Sequence, residues 1–206
     1  MIAFPFWSAA YAHFQQGALR SDYRRVNAAF AVGEQRQTAV LAQLRSPQMK
    51  VRRLAGLFAH GLKPGDPIGH LIIPRLGMNR IVVQGAPGAA SLSPGSDTAY
   101  LRGGPVHYGI TPLPGAGEPF AVAGHRTTYG APFYRLNELR RGDSIVVDTP
   151  YGRFAYRVVR LTTVLPSDVG VLYDRGYGLV LTTCTPPYSA SHRLVVWAAA
   201  AGFRLK

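Results

Sequence analysis

Three residues in this chain are placed where a thiol, an imidazole and a guanidinium could work together. Cys184 is the only cysteine, and it closes the apolar, alternating run Leu179-Val180-Leu181-Thr182-Thr183 two residues before Pro186. That pattern predicts a β-strand delivering a thiol to its own C-terminal end. Nine residues later (193 minus 184), Arg193 opens a second apolar run, Leu194-Val195-Val196-Trp197-Ala198. If the two strands are neighbours, thiol and guanidinium face the same mouth. A third run, Pro119 to Arg126, ends in His125, which lies 59 residues before the cysteine (184 minus 125).

The chemistry available to such a set is covalent catalysis. A cysteine attacks as its thiolate, which a nearby histidine or arginine favours. An imidazole can protonate a leaving amine and then deprotonate an incoming nucleophile. An arginine, helped by backbone N–H groups, can hold the oxyanion of a tetrahedral intermediate. Singly, these residues read as a core cysteine, a capping histidine and a surface arginine. Together at three strand ends they read as a catalytic set.

Competing groups carry less. His107 lies beside Tyr108 in a long loop and is a candidate groove residue, whereas His192 would point to the opposite face from Arg193. His70 reads as a spectator in a strand, and His13 and His60 have no acidic or cysteine neighbours. No spacing suits a metal, and no Asp-x-Glu pair suggests calcium, so neither metal nor cofactor is expected. A single cysteine excludes an intramolecular disulfide and an all-cysteine zinc site. No glycine-rich loop joins a strand to a helix, which leaves nucleotide binding unsupported. Basic residues are not interleaved with aromatics on a strand face, so nucleic acid is not an expected partner.

The elements that must position the set begin at a composition shift, Lys63-Pro64-Gly65-Asp66-Pro67. Beyond it, short apolar runs alternate with turn residues. Residues 68–74 and 81–84 read as a strand pair, and residues 86–118 as a Gly-, Pro- and Ser-rich loop with a short helix at Ser96 to Tyr100. Pro132 to Leu139 predicts a short helix with proline near its start. Residues 144–149 and 153–164 form a hairpin across Pro150-Tyr151-Gly152, and residues 168–173 a helical turn. Seven or eight short strands with an inserted helix favour a mostly β, closed or nearly closed barrel over residues 63–206.

Residues 13–62 read as helical and basic, broken at Gly33 and Pro47. One reading is a stalk held at an anionic surface; the other is a solvated amphipathic helix flanking the core. The formal net charge of +13, from 23 basic and 10 acidic residues, implies an anionic neighbour without choosing among nucleic acid, lipid and wall polymer. Residues 1–12 are strongly apolar but too short to span a bilayer, which takes roughly 20 residues. The expectation is the tail of a membrane span, with Phe6, Trp7 and Tyr11 suited to the interface. An interfacial anchor and packing on the chain's own domain are the alternatives, and a signal peptide fits poorly.

Leu181-Thr182-Thr183-Cys184, Arg193, and Gly124-His125-Arg126 upstream resemble a sortase. The match extends through Thr127-Thr128-Tyr129-Gly130-Ala131-Pro132-Phe133, Leu136, Leu139 and Gly142-Asp143, and through Gly104-Pro105-Val106-His107-Tyr108 and Leu113-Pro114-Gly115. It spans about Asp66 to Ala200 and is most like class E, an actinobacterial type. One departure is Val180, where the family pattern Thr-Leu-x-Thr-Cys has its first threonine.

The resemblance implies an eight-stranded barrel anchored to the cell membrane by a single N-terminal span, with the catalytic domain outside. It implies a cysteine transpeptidase that cleaves an LPXTG-like signal between Thr and Gly through a thioacyl enzyme. An amine, usually on a peptidoglycan precursor, then takes the acyl group. By position, Cys184 matches the nucleophile, His125 the general acid/base, Arg193 the oxyanion or substrate arginine, and Thr183 the threonine before the cysteine. Tyr108 is a candidate contact for the alanine of an LAXTG signal. Its implied partners are secreted proteins with a C-terminal sorting signal and a cell-wall amine. Two other readings stay open: a thiol peptidase with water as acceptor, and a non-catalytic barrel binding wall or membrane polyanions.

Overall fold

A computed structural model describes residues 3–87, 92, 98–117, 119–174 and 176–206. Eight strands close into a barrel in the order β1-β2-β3-β4-β7-β8-β6-β5. They are β1 (Pro67–Ile73), β2 (Met78–Gln84), β3 (Val106–His107), β4 (Phe120–Ala123), β5 (Ser144–Thr149), β6 (Gly152–Val164), β7 (Leu179–Thr185) and β8 (His192–Leu205). The closed, mostly β architecture agrees with the sequence expectation. Most neighbours are antiparallel, but β2 pairs with β3, and β4 with β7, in parallel.

Alternation along the site strands gives the sheet two apolar faces. Phe120 and Val122, Leu179 and Leu181, and Val196 and Ala198 point into the barrel core. Ala121, Val180, Val195 and Trp197 face a second cluster outside, completed by Leu92, Tyr108 and Leu172. A strand covered on both sides reads as an almost unbroken apolar run, which is the character of Leu179 to Leu181. Val180 is fully buried there, so a β-branched apolar side chain suits the position where the family pattern has threonine.

The helical region does not stand off as a stalk. Helix α1 (Ala3–Gln35) runs through Gly33, α2 is Thr38–Gln43, and α3 (Pro47–Gly61) starts where Ser46 accepts from the Met49 N–H and proline occupies the first turn. Phe30 of α1 and Val51, Leu54, Ala55 and Phe58 of α3 are buried with the barrel core. The Phe30, Phe58 and Tyr151 rings meet at 5.4–6.1 Å between centroids. Arg20, Arg24, Arg25, Arg36, Arg45, Arg52 and Arg53 are exposed. The described helices thus flank the core, the second of the two readings of this region, and the composition change at residue 63 coincides with the switch from helix to strand. Among the described residues, no helix is long and apolar enough to cross a membrane. Met1, Ile2 and the side chains of Phe6 and Trp7 lie outside what is described.

Gln16 fastens α1 to the barrel. Its amide nitrogen donates to the Ile81 carbonyl at 3.2 Å and the Gly103 carbonyl at 2.8 Å, and its oxygen accepts from the Ile81 N–H at 2.8 Å. Gln16→Leu would leave those buried backbone groups without partners, a loss of about 2–3 kcal/mol. The expected result is a lower urea midpoint at unchanged m-value.

Two local expectations need adjustment. The loop before β4 contains the two-residue strand β3, and α4 (Thr98–Leu101) covers part of the expected short helix, whose Ser96 and Asp97 lie outside the described residues. Residues 132–139 form turns and a 3₁₀ helix at Leu136–Glu138 rather than an α-helix. Residues 169–173 form a 3₁₀ helix, in agreement with the helical turn expected there.

Candidate active site

Strand register brings the three predicted groups to one end of the sheet. Cys184 is the cross-strand partner of Arg193 in the antiparallel pair β7–β8. Cys184 alternates with Val180 and Thr182, and Arg193 with Val195 and Trp197, so both side chains take the outer face and not the barrel interior. On the other side of β7, the parallel register Ala123↔Thr182 continues as Gly124 N–H donates to the Thr182 carbonyl at 3.1 Å. One residue further, His125 emerges level with Cys184. His125 lies just past the end of β4, two residues beyond Ala123.

Each group is held by its surroundings. Arg193 is 3 % exposed. Its Nε donates to the Leu92 carbonyl, and its Nη1 donates to the carbonyls of Ala190 and His192, each at 2.9 Å. Among the described residues Nη2 has no acceptor, leaving one arm of the fork for a ligand. Cys184 is half-buried and has no disulfide partner. The backbone beneath His125 is set by Gly124, where a Cβ would come within 2.5 Å of the Phe133 ring, and by the Phe133 N–H donating to the His125 carbonyl at 3.1 Å.

The His125 ring lies 5.2 Å from that of Tyr129, and Arg102 sits over the Tyr129 ring at 5.7 Å. Nε2 of His125 is buried and unbonded among the described residues. Burial first, and the Arg102 charge second, hold its pKa below the usual histidine value. The resting imidazole is therefore neutral at pH 7 and able to accept a proton.

The remaining predicted site residues separate. Tyr108 belongs to the outer cluster, and its hydroxyl meets Thr182 Oγ1 at 2.7 Å on the face that carries Cys184. Thr183 faces inward and donates to the Gly124 carbonyl at 2.8 Å, so it ties the His125 segment to β7 and presents nothing to a groove. His107 is enclosed likewise. It lies in β3, is 2 % exposed, and bonds Gln84 Oε1 and Thr111 Oγ1 at 3.0 Å each. His192, the residue before Arg193 at the start of β8, is exposed. Among the described residues, no group of three or more His, Cys, Asp or Glu side chains could hold a metal.

Burial pushes the pKa of His107 down to about 3. The neutral ring is the folded form, so the unfolded chain takes up the proton first as pH falls. This group's contribution to stability is complete above about pH 6.5 and is lost progressively toward pH 3. Urea denaturation between pH 7 and 4 should show that loss. His107→Gln should flatten the slope by up to one proton, about 1.4 kcal/mol per pH unit.

Arg126, Asn137, Arg102 and Leu92 carry no signal in the local sequence pattern that marks them for this site. Arg126 follows His125 directly, but nothing local shows that it reaches the Cys184 carbonyl, to which Nη1 donates at 3.3 Å.

Fold and site together define an eight-stranded β-barrel with a cysteine-centred candidate active site. Residues 71–201 match the sortase domain. The chain is 34 % identical over 146 residues to sortase SrtE1 of Streptomyces coelicolor, covering 66 % of this chain and 40 % of that protein. It is 29 % identical over 147 residues to sortase SrtE2 of the same organism, covering 63 % of this chain and 54 % of that protein. Among solved structures, sortase E from Streptomyces avermitilis superposes with a TM-score of 0.58 at 35 % identity, covering 69 % of this chain and 93 % of that one. Sortase E1 from S. coelicolor with a tripeptide in its active site gives 0.57 at 31 %, covering 70 % and 94 %. The chain belongs to the sortase family, and these relatives are class E enzymes. It spans about half the length of the curated relatives it matches.

Proposed function

We propose that this chain is a cysteine transpeptidase that cleaves an LPXTG- or LAXTG-like sorting signal between Thr and Gly and passes the acyl group to a cell-wall amine. The observation that carries the reading is the register: Cys184 opposite Arg193 on β8, with His125 at the end of the strand parallel to β7. In the first half-reaction His125 takes the thiol proton and the Cys184 sulfur attacks the threonine carbonyl carbon. The oxyanion forms beside Nη2 of Arg193. As the C–N bond breaks, the imidazolium returns its proton to the leaving glycine amine, giving a thioester. In the second half-reaction an amine attacks that thioester and His125 accepts its proton; the C–S bond breaks, and the imidazolium passes the proton to the leaving sulfur, restoring the thiol and the neutral imidazole.

Burial and the Arg102 charge suit this cycle, because they keep the resting imidazole neutral and make the transient imidazolium a ready donor. Tyr108 lies beside Thr182 on the Cys184 face, which supports a contact with the signal's alanine. Sortases work at the cell surface, and we extend to this chain a membrane attachment through its N-terminus, with secreted signal-bearing proteins and a peptidoglycan precursor amine as partners. The charge of +13 agrees with an anionic wall or lipid surface.

Incubating the protein with a fluorogenic LAXTG peptide, with and without an amine acceptor, tests the reading by product mass. The expected product carries the acceptor on the threonine carboxyl. Cleavage that never incorporates the amine would make the protein a thiol peptidase, and no cleavage of LAXTG or LPXTG peptides would reject the substrate class.

A further inference from the structure

Arg126 and Arg193 set the Cys184 site apart electrostatically. The chain carries 23 lysines and arginines, yet among the described residues only these two are buried, at 5 % and 3 % exposure. Neither forms an ion pair with a carboxylate among the described residues. Both adjoin Cys184, one as its cross-strand partner and one as a donor to its carbonyl. A surface cation is solvated by water and needs no partner, whereas a buried one without an anion is costly. Two such costs at one residue indicate that the missing anion belongs to the reaction.

Arg126 also ties two segments together. Its Nε donates to the Tyr134 carbonyl at 2.9 Å and its Nη2 to Asn137 Oδ1 at 2.8 Å, closing the loop that follows His125. Its Nη1 donates at 3.3 Å to the carbonyl of Cys184, on a strand 58 residues away in sequence. The side chain thus couples the position of the imidazole to that of the thiol.

We infer that Arg126 is a positioning residue of the site, which locks the Cys184 peptide to the His125 loop and, through its unpaired charge, favours negative charge developing at Cys184. The inference rests on the reading of Cys184 as the nucleophile. It assigns to Arg126 an effect on the acyl-transfer step and leaves peptide binding to other residues.

The test uses the full chain, whose single cysteine makes labelling unambiguous. The rate of Cys184 alkylation by anionic iodoacetate is divided by the rate with neutral iodoacetamide. Both reagents need the same thiol, so the ratio reports local charge. Arg126→Gln should lower the ratio severalfold, on the order of three- to tenfold. Arg126→Lys should restore part of it. Asn137→Asp, which sets a carboxylate against Nη2 while keeping the tie to Cys184, should lower the ratio as well, and Asn137→Ala should leave it unchanged. In peptide cleavage, Arg126→Gln should reduce kcat roughly 10- to 100-fold with KM within about twofold, the signature of an interaction made in the transition state.

An unchanged ratio in both Arg126→Gln and Asn137→Asp would overturn the inference; should the Gln variant fail to fold, Asn137→Asp decides alone. The alkylation readout needs no peptide, so a protein that cleaves no sorting signal but shows the ratio shift would refute the proposed function and retain the electrostatic role.

Discussion

Cys184→Ala is expected to abolish cleavage of the sorting-signal peptide while leaving the barrel folded. The thioester has no other thiol to form on, since the chain contains no second cysteine. Removing a covalent nucleophile that works with a base costs several orders of magnitude in kcat, and a loss of at least about 10³-fold is expected here. Stability should change by less than about 1 kcal/mol. The thiol is half-buried at a strand end, and the contact that fixes the residue, the Arg126 bond to its carbonyl, involves backbone and survives the substitution. Peptide cleavage and a thermal melt on the same preparation check both halves. Folded Cys184→Ala protein that retained even a tenth of wild-type turnover would exclude the covalent mechanism.

Arg193→Lys should be nearly as damaging to activity, although it conserves charge. The guanidinium meets three backbone carbonyls through Nε and Nη1 and, among the described residues, has Nη2 left over. Lysine offers one nitrogen on a flexible stem, so it cannot brace the chain at Leu92, Ala190 and His192 and also face an oxyanion. Loss of an oxyanion donor typically costs about 10²–10³ in kcat. Leaving the buried Leu92 carbonyl without its donor should lower stability by about 1–3 kcal/mol as well. Steady-state kinetics beside urea denaturation will separate the two effects. A lysine variant with near wild-type kcat would mean that charge alone suffices and that the fork geometry is irrelevant.

Much of the fold was legible because strand alternation and turn residues are local signals. The 144–149 and 152–164 hairpin, the strand ending at Cys184 and the strand starting at Arg193 all follow from them. Strand β3 was not legible, because two residues in a Gly- and Pro-rich stretch carry no periodicity. The helical segment was readable as helix, but its placement was not. Phe30 and Phe58 look alike on a stalk and on a barrel until Tyr151, far along the chain, is seen to receive them. His107 stands in the same position: its neighbours suggested a groove, and the partners that bury it, Gln84 and Phe120, come from other strands.

By itself, then, the sequence determined which groups are available for chemistry at this site. One thiol exists, an arginine opens the next strand after a short connection, and a histidine ends an apolar run; the Cys184–Arg193 pairing follows closely from that short antiparallel link. Only the tertiary structure brought His125 level with Cys184, put the thiol and guanidinium on the outer face, and carried Arg126 to the Cys184 carbonyl. The physical reason is that β4 and β7 pair in parallel across 59 residues, from His125 to Cys184. Parallel strands cannot be joined by a tight turn, so their register is set by barrel closure and side-chain packing, which no local stretch of sequence encodes.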